Sequence, residues 1–386
     1  MSQETSAWGF LSGQGRSETV LPQVRRETNL RTEALLVLAV IVCSLLFYFP
    51  YRRDMTPLYA FWDGPSYMMI AHDFYEVRPG NPLAPDVTQP PFYASHLPGY
   101  PLLVRALSFV GYDHALLLAT ILSMCAATLL FYRLLRDVYR SEHAAYLALV
   151  FIFLPPRWVL YHSVGASEPL FLAAVFASLY LFERQRIGLA CVAAAVASVT
   201  RFAGLLIIPA YACFLFRRKA PRWSWLWLAV IPIGPALYSW YFIRNYGSVF
   251  PAIDRNLLII SNPIPFWHLY RILHSFGSPN TSGELYILAT VVYMIGLLRL
   301  WRFPVLFTYC LFQFAFVAIT SYDNLRYYLA IMPFALIFAF EDVIGRPSFR
   351  WVFPFAAVGS LYWASLIITI NLCKNYADVA RFLGIH

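Results

Sequence analysis

The segment from Ala115 to Leu135 reads ALLLATILSMCAATLLFYRLL and contains one charged side chain, Arg133. A run of this length and composition predicts an α-helix that crosses the ~30 Å hydrocarbon layer of a bilayer, which needs about 20 residues. Similar apolar runs recur along the chain, and none alternates with the period of two that a membrane β-strand requires. The sequence therefore predicts an all-α, polytopic transmembrane protein.

The composition of the whole chain supports this prediction. Hydrophobic residues make up 60% of the 386 residues and charged residues 13%, and the mean hydropathy is +0.59. A soluble domain of this length does not need so much apolar surface, so the excess must face lipid. We predict about ten or eleven spans, which lie near Glu33–Phe49, Ala115–Leu135, Ala144–His162, Pro169–Phe182, Ile187–Val199, Ala203–Phe216, Trp223–Phe242, Leu285–Leu298, Val305–Thr320, Leu325–Phe340 and Trp351–Leu372.

The net charge of +9 comes from short basic clusters between the apolar runs and not from a basic domain, so it does not indicate nucleic-acid binding. If the N-terminus is cytoplasmic, every short inside loop is basic, as the positive-inside rule expects. We therefore predict a cytoplasmic tail over residues 1–33 and a single transmembrane domain over residues 34–386. Two large extracytoplasmic loops follow from this orientation, at residues 51–114 and 245–284.

The first loop is rich in proline and aromatic residues, which indicates ordered structure. Within it, Pro65–Glu76 and Leu102–Val110 are predicted to form short helices with one apolar face, suited to the lipid interface. Asp63 lies just before the first of them, in Phe61-Trp62-Asp63-Gly64-Pro65. A carboxylate in this place can take a proton from a hydroxyl nucleophile, although Asp before Gly-Pro is also a good helix N-cap.

Two further segments carry polar side chains toward the same side of the membrane. The sequence from Tyr93 to Pro101, YASHLPGYP, offers His96 to a phosphate or sugar oxygen, or to a structural hydrogen bond. Glu168 follows Ser167 at the predicted start of a span, with His162 shortly before it. Glu168 is either a partner of the helix dipole or a carboxylate of the site.

Arg201 and Arg326 lie at the outer ends of predicted spans. An arginine at this depth is costly unless an anion neutralises it, so each implies a carboxylate or a lipid phosphate nearby. For Arg326, Asp323 is one candidate partner and a phosphate is the other.

Several familiar patterns do not occur in the sequence. There is no nucleotide phosphate-binding loop, no Asp-x-Asp pair and no nucleophile elbow. The six cysteines have no metal-binding spacing. We therefore expect no cofactor, and no divalent metal is indicated.

Taken in order, the motifs resemble those of the lipid-linked-sugar glycosyltransferases of the GT-C class, most of all the GPI mannosyltransferase II (PIG-V-like) group and its prokaryotic relatives. The resemblance covers roughly residues 34–209, and Asn324–Tyr328 with Pro333 resembles a later motif of the class. The motifs that carry it are Trp62-Asp63-Gly64 with Tyr67, His96-Leu97-Pro98-Gly99-Tyr100-Pro101, Ser167-Glu168-Pro169-Leu170-Phe171 and Ser198-Val199-Thr200-Arg201.

The resemblance implies a GT-C fold, an extracytoplasmic active site, a polyprenyl-phosphate sugar donor that typically carries mannose, and inversion at the anomeric carbon. It also implies that Asp63 is the catalytic base. The relatives often have Phe-Pro-x-Tyr-Pro in place of the His96–Pro101 segment, so the sugar and the acceptor, whether glycolipid, glycan or protein, stay open. The expected substrate-binding residues are Trp62, Tyr67, His96, Tyr100, His162, Glu168, Arg201 and Arg326.

Two other classes of function fit the same sequence. A transporter or flippase of a lipid-linked sugar would use similar pockets, but transporters usually show paired repeats and charges at mid-membrane depth. Here the ionisable residues gather at predicted outer helix ends, which favours catalysis at the surface. A non-catalytic membrane subunit is the third alternative.

Overall fold

The computed structural model describes residues 21–84, 92–249, 281–319 and 324–385, and these are almost entirely helical. Residues 36–386 pack as one compact unit, and residues up to Leu35 form a separate one. The described helices are α1 (Leu21–Tyr48), α2 (Thr56–Ala60), α3 (Gly64–Asp73), α4 (Gly99–Leu107), α5 (Tyr112–Arg133), α6 (Ala144–Phe153), α7 (Pro156–Tyr161), α8 (Glu168–Glu183), α9 (Ile187–Thr200), α10 (Ile207–Arg217), α11 (Arg222–Leu228), α12 (Ile233–Tyr246), α13 (Thr281–Arg299), α14 (Pro304–Ile319), α15 (Asn324–Tyr327), α16 (Glu341–Ile344), α17 (Pro347–Ile368) and α18 (Tyr376–Phe382).

Three helical stretches in the described part of the chain are long and apolar enough to cross a bilayer on their own: Asn29–Tyr51, Tyr112–Val138 and Pro347–Ile368. Helices α11 and α12 pass the same test together, with a bend of 43° between them. Six further apolar helices have 10–17 residues. The all-α membrane class is thus confirmed, and the number of spans stays a prediction.

Prolines interrupt two of the predicted spans. The span predicted over residues 144–162 breaks between α6 and α7, where Leu154 is extended before Pro155 because a residue before proline is kept out of the helical region. The span predicted over residues 325–340 consists of α15, a 3₁₀ turn, a π-helical segment that begins at Pro333 and another 3₁₀ turn. Proline lacks the amide hydrogen that a continuous helix needs.

The centre of the unit is formed by α5 and α8, which pack against each other, with α9 on the other side of α8. Phe131 of α5 stacks on Phe176 of α8 with ring centroids 5.1 Å apart, and Phe151 of α6 stacks on Trp158 at the same separation. All four rings are buried, and each buries on the order of 150–250 Å² of apolar surface. This core fixes the start of α8, where Glu168 lies.

The corner between α2 and α3 is tied to the segment that follows α17. Phe61 and Leu372 form an isolated antiparallel bridge. The amide of Trp62 donates to the carbonyl oxygen of Asn371 at 2.9 Å. The amide of Cys373 donates to the carbonyl oxygen of Ala60 at 2.8 Å. These bonds hold the residues that immediately precede Asp63.

The two short helices of the first loop differ from each other. Helix α4 buries Tyr100, Pro101 and Val104 and exposes Leu102, which is the amphipathic character expected at a lipid interface. Helix α3 is buried at every position except His72, so its apolar side chains contact protein and leave no free face for lipid. The neighbouring helices α4 and α5 cover it. The second predicted loop, residues 245–284, lies mostly outside the described residues.

Candidate active site

Asp63 occupies the N-cap position of α3, but its side chain makes no capping hydrogen bond. Its carboxylate instead accepts a hydrogen bond from Nη2 of Arg326 at 2.8 Å, and its other oxygen lies 3.1 Å from Nε2 of His96. The side chain is buried, with the whole residue 7% exposed. The carboxylate is thus part of a cluster of ion pairs and does not cap the helix.

Arg326 joins Asp63 to a second carboxylate. Its Nε donates to Oε1 of Glu168 at 2.6 Å, and the same oxygen accepts from Nη1 of Arg201 at 2.9 Å. The guanidinium of Arg326 also lies over the ring of Tyr161, 4.6 Å from the centroid. Four charged side chains from the starts of α3, α8 and α15 and the end of α9 therefore form one continuous chain of ion pairs, which we call the charged cluster (Asp63, Glu168, Arg201 and Arg326).

Neutral hydroxyl groups border the charged cluster on one side. Tyr67 donates from its hydroxyl to Oγ of Ser167 at 3.0 Å, and Arg201 donates to the same oxygen at 3.2 Å. The Tyr67 ring meets the His96 ring edge-on at 5.1 Å and the Tyr100 ring at 4.9 Å. Tyr100 supports Tyr67 from behind, since the Tyr100 hydroxyl is bonded to α5.

Both ring nitrogens of His96 face oxygen acceptors. Nδ1 lies 3.1 Å from the carbonyl oxygen of Tyr93, and Nε2 faces Asp63. A ring nitrogen must carry a proton to donate. His96 therefore borders the charged cluster beside one oxygen of Asp63, and Arg326 is bonded to the other oxygen.

The charges around Asp63 decide its protonation. Burial alone raises the pKa of this carboxyl, but the positive charges of Arg326 and His96 and their hydrogen bonds outweigh burial and hold the pKa far below its usual range. Asp63 is therefore ionised, and it is a weak base as long as Arg326 stays paired with it.

The space beside the charged cluster is small. A cavity of about 10 Å³ is lined by Glu168, Arg201, Arg326 and Gln313 together with apolar residues of α8 and α14. This volume holds about one water molecule, and Asp63 does not line it. Oε2 of Glu168 is buried and has no hydrogen-bond partner in the described part of the chain. A phosphate or a sugar therefore fits here only if some of these ion pairs separate.

Sequence reasoning missed Gln313 and Tyr161. Gln313 is 1% exposed, and its amide donates to the carbonyl oxygen of Ala203 at 2.6 Å. A signal existed, because an amide side chain inside an apolar run is costly in a membrane and points to a functional position. Tyr161 lies within a predicted span and gave no such signal.

Two predicted site residues are neither members of the charged cluster nor neighbours of it. His162 is fully buried, its Nε2 lies 2.7 Å from the carbonyl oxygen of Ile152, and its ring packs against Trp158. Trp62 is partly exposed, and its backbone amide is bonded to Asn371. Asp323, the sequence-local candidate partner of Arg326, lies outside the described residues.

The described helices have the GT-C fold, which confirms the architecture expected from the sequence. Two solved structures are similar. The first is ArnT from Cupriavidus metallidurans bound to undecaprenyl phosphate, with a TM-score of 0.53, 15% identity, and coverage of 81% of this chain and 60% of ArnT. The second is the Archaeoglobus fulgidus oligosaccharyltransferase in the apo form, with a TM-score of 0.50, 14% identity, and coverage of 90% and 56%.

This chain thus spans about 60% of the length of each of these proteins, and at such low identity the likeness concerns the fold. No family model matches the sequence, and no curated protein matches it.

Proposed function

We propose that this protein is a membrane glycosyltransferase that moves a sugar from a polyprenyl-phosphate donor to an acceptor hydroxyl, with inversion at the anomeric carbon and Asp63 as the base. The sugar implied by the sequence resemblance is mannose. The observation that carries the proposal is the pairing of Asp63 with Arg326 and His96, because it unites a carboxylate base with cations that can hold a phosphate.

The donor class is supported by the two guanidinium groups of the charged cluster. Arginine presents a planar set of donors that matches the oxygens of a phosphate. Arg201 and Arg326 both donate to the same oxygen of Glu168. The two guanidinium groups are thus already arranged around one anionic oxygen. The similar ArnT structure is bound to undecaprenyl phosphate, a lipid of the proposed donor class.

The proposed reaction is a single displacement. The acceptor oxygen forms a bond to the anomeric carbon while its proton passes to the Asp63 carboxylate. The bond between the anomeric carbon and the phosphate oxygen breaks, and the polyprenyl phosphate leaves with the electron pair. Arg326 and Arg201 offset the negative charge that grows on the phosphate, and His96 lies beside them as a further hydrogen-bonding group.

Donor binding and base activation are coupled in this scheme. The donor phosphate competes with the carboxylates for Arg326, and a carboxylate that loses its arginine regains a higher pKa. Asp63 thereby becomes a better base only when a donor is present. The small cavity supports the same sequence of events, because in the described part of the chain it has room for a phosphate only after the ion pairs separate.

The test is a transfer assay with the purified protein in detergent, radiolabelled polyprenyl-phosphate mannose and a panel of acceptors, with mass detection of the product. We expect Asp63→Asn to lower transfer by roughly 10²- to 10⁴-fold, the contribution of a general base. The matched control is Asp73→Asn, since Asp73 is also a buried, ion-paired carboxylate of the first loop but is bonded to His72 and Arg78.

Retention of wild-type turnover by Asp63→Asn would refute the assignment of the base. Movement of the labelled donor across vesicles without a covalent product would support the flippase alternative instead. A protein that does neither would be a non-catalytic subunit.

A further inference from the structure

A large cleft opens at the end of α8 that is remote from the charged cluster. Glu168 begins α8, and the other end of the helix is marked by Tyr180 and Arg184, which both approach Asp137. Helix α8 has 16 residues and is therefore about 24 Å long. The cleft has a volume of about 770 Å³, and its lining comes from three segments: residues 139, 140, 142 and 143, residues 299 and 301–303, and residues 338, 339, 341 and 342.

The floor of the cleft is a fixed aromatic layer. The ring of Tyr139 stacks on Phe338 with centroids 5.2 Å apart and contacts Phe303 at 4.9 Å. These three residues come from the three segments that line the cleft, so their contacts hold the walls together. The cleft is therefore part of the packed structure of the unit.

Three of the six charged side chains that line the cleft are bonded within the protein. Arg299 is ion-paired with Asp342 and lies over the Phe340 ring. Glu341 accepts hydrogen bonds from the hydroxyl of Ser141 and from the amide of His143 at 3.2 Å. These side chains are engaged in holding the turns and are not available for a ligand.

Three charged side chains of the lining have neither an ion-pair partner nor a hydrogen bond within the described ranges: Arg140, Arg302 and Glu142. Both arginines are exposed. Arg302 lies over the Phe303 ring at 5.1 Å, which leaves its guanidinium hydrogens free to donate. Counted over the whole lining, three arginines balance three carboxylates. An anionic ligand such as a phosphodiester would therefore be held by the donors of Arg140 and Arg302 and not by an excess of positive charge.

The neighbourhood of the cleft indicates a lipid source for that phosphodiester. Trp301, which lines the cleft beside Arg302, is 74% exposed. Exposed tryptophan next to arginine is typical of the headgroup level of a bilayer, where arginine side chains attract anionic headgroups. We propose that this cleft binds the phosphodiester headgroup of an anionic phospholipid through Arg140 and Arg302.

The test measures lipid binding to the full-length protein by native mass spectrometry and by thermal unfolding. The lipids are phosphatidylglycerol and phosphatidylcholine, and soluble glycerol phosphate is a separate arm. We expect wild-type protein to retain phosphatidylglycerol in preference to phosphatidylcholine. Arg140→Gln/Arg302→Gln should weaken that binding by roughly tenfold to thirtyfold, the effect of two basic residues at a membrane surface.

Two further variants keep the result interpretable. Arg217→Gln/Lys219→Gln removes the same charge from exposed positions on another turn and should leave binding unchanged. Glu142→Gln removes the negative charge of an exposed side chain that has no partner within the described ranges, and it should strengthen binding. Equal retention of the two lipids, or equal loss in the two double variants, would overturn the site. Equal protection by glycerol phosphate would overturn the lipid assignment.

Discussion

Arg326 neutralises two carboxylates in a place that holds about one water molecule. Taking such charges out of water is costly, and only close pairing offsets the cost. Removing one partner leaves the other charge buried and unpaired. The loss of stability is therefore larger than the modest net contribution of the intact ion pair. The charged cluster should behave as one unit in stability measurements.

We predict that Arg326→Gln lowers the free energy of unfolding by about 3 to 5 kcal/mol, because Asp63 and Glu168 lose their shared cation. At about 2 °C per kcal/mol this is a drop of roughly 6 to 10 °C in the unfolding midpoint in detergent. The control is Arg299→Gln, whose partner Asp342 is largely exposed, and it should cost about 1 kcal/mol or less. Equal effects of the two changes would contradict the proposed role of burial.

The low pKa of Asp63 predicts a pH dependence of stability. The native pKa lies below the unfolded value of about 3.9, so the carboxylate stabilises the fold fully above that value and loses its effect as the pH falls further. The difference in unfolding midpoint between wild type and Asp63→Asn should therefore shrink between about pH 5 and pH 3. A difference that grows on acidification would show that Asp63 is not held in its ionised form.

The individual members of the charged cluster could be predicted from sequence, but their pairing could not. A carboxylate before a Gly-Pro turn and an arginine at a predicted helix end are each visible in one short segment. The bond between Asp63 and Arg326 joins residues 263 positions apart, and local reasoning offered Asp323 instead. The contact between His162 and the carbonyl oxygen of Ile152 could not be predicted either, because a short sequence segment gives no information on the direction of a side chain.

At the scale of elements, the apolar runs predicted the positions of the helices well. Prolines lie where two of the predicted spans break. The predicted span from Pro169 to Phe182 corresponds to α8, whereas the predicted span over residues 325–340 divides into four short segments. Average hydropathy does not register a missing amide hydrogen, so such breaks are harder to predict than the spans themselves.

Glycine allows one of the closest helix contacts. A Cβ at Gly296 of α13 would overlap the carbonyl oxygen of Ala335, whereas a Cβ at Gly359 of α17 would meet no atom within 4 Å. We predict that Gly296→Ala destabilises the protein by about 1 to 3 kcal/mol. Gly359→Ala should be neutral or stabilising by about 0.5–1 kcal/mol, since alanine favours helices.

Unfolding midpoints of these two variants in the same detergent provide the comparison. A larger loss from Gly359→Ala than from Gly296→Ala would mean that α13 does not pack against the π-helical segment as described.

At the scale of the molecule, composition and span length were enough to predict an all-α membrane protein, and the ordered motifs pointed to the GT-C fold that the similar structures share. The sugar and the acceptor do not follow from the fold, because they depend on a few side-chain contacts with the substrates. The orientation in the membrane likewise stays a prediction from the basic clusters.

We predict that the first loop and the turn after α10 lie on opposite sides of the membrane. In a cysteine-free background, Glu76→Cys should react with a membrane-impermeant maleimide from the extracytoplasmic side of intact cells. Arg217→Cys should react only after the cells are permeabilised. Both native residues are exposed, and labelling of both from one side would disprove the topology.

The bridge between Phe61 and Leu372 has a consequence for biosynthesis. Trp62 has a left-handed backbone, with φ of 43°, which is costly for so large a residue, and its amide is secured by Asn371. This partner leaves the ribosome long after Trp62 does. A nascent chain still short of Asn371 lacks the hydrogen bonds that hold the corner before Asp63, so this corner should take its final shape only after Asn371 has been synthesised.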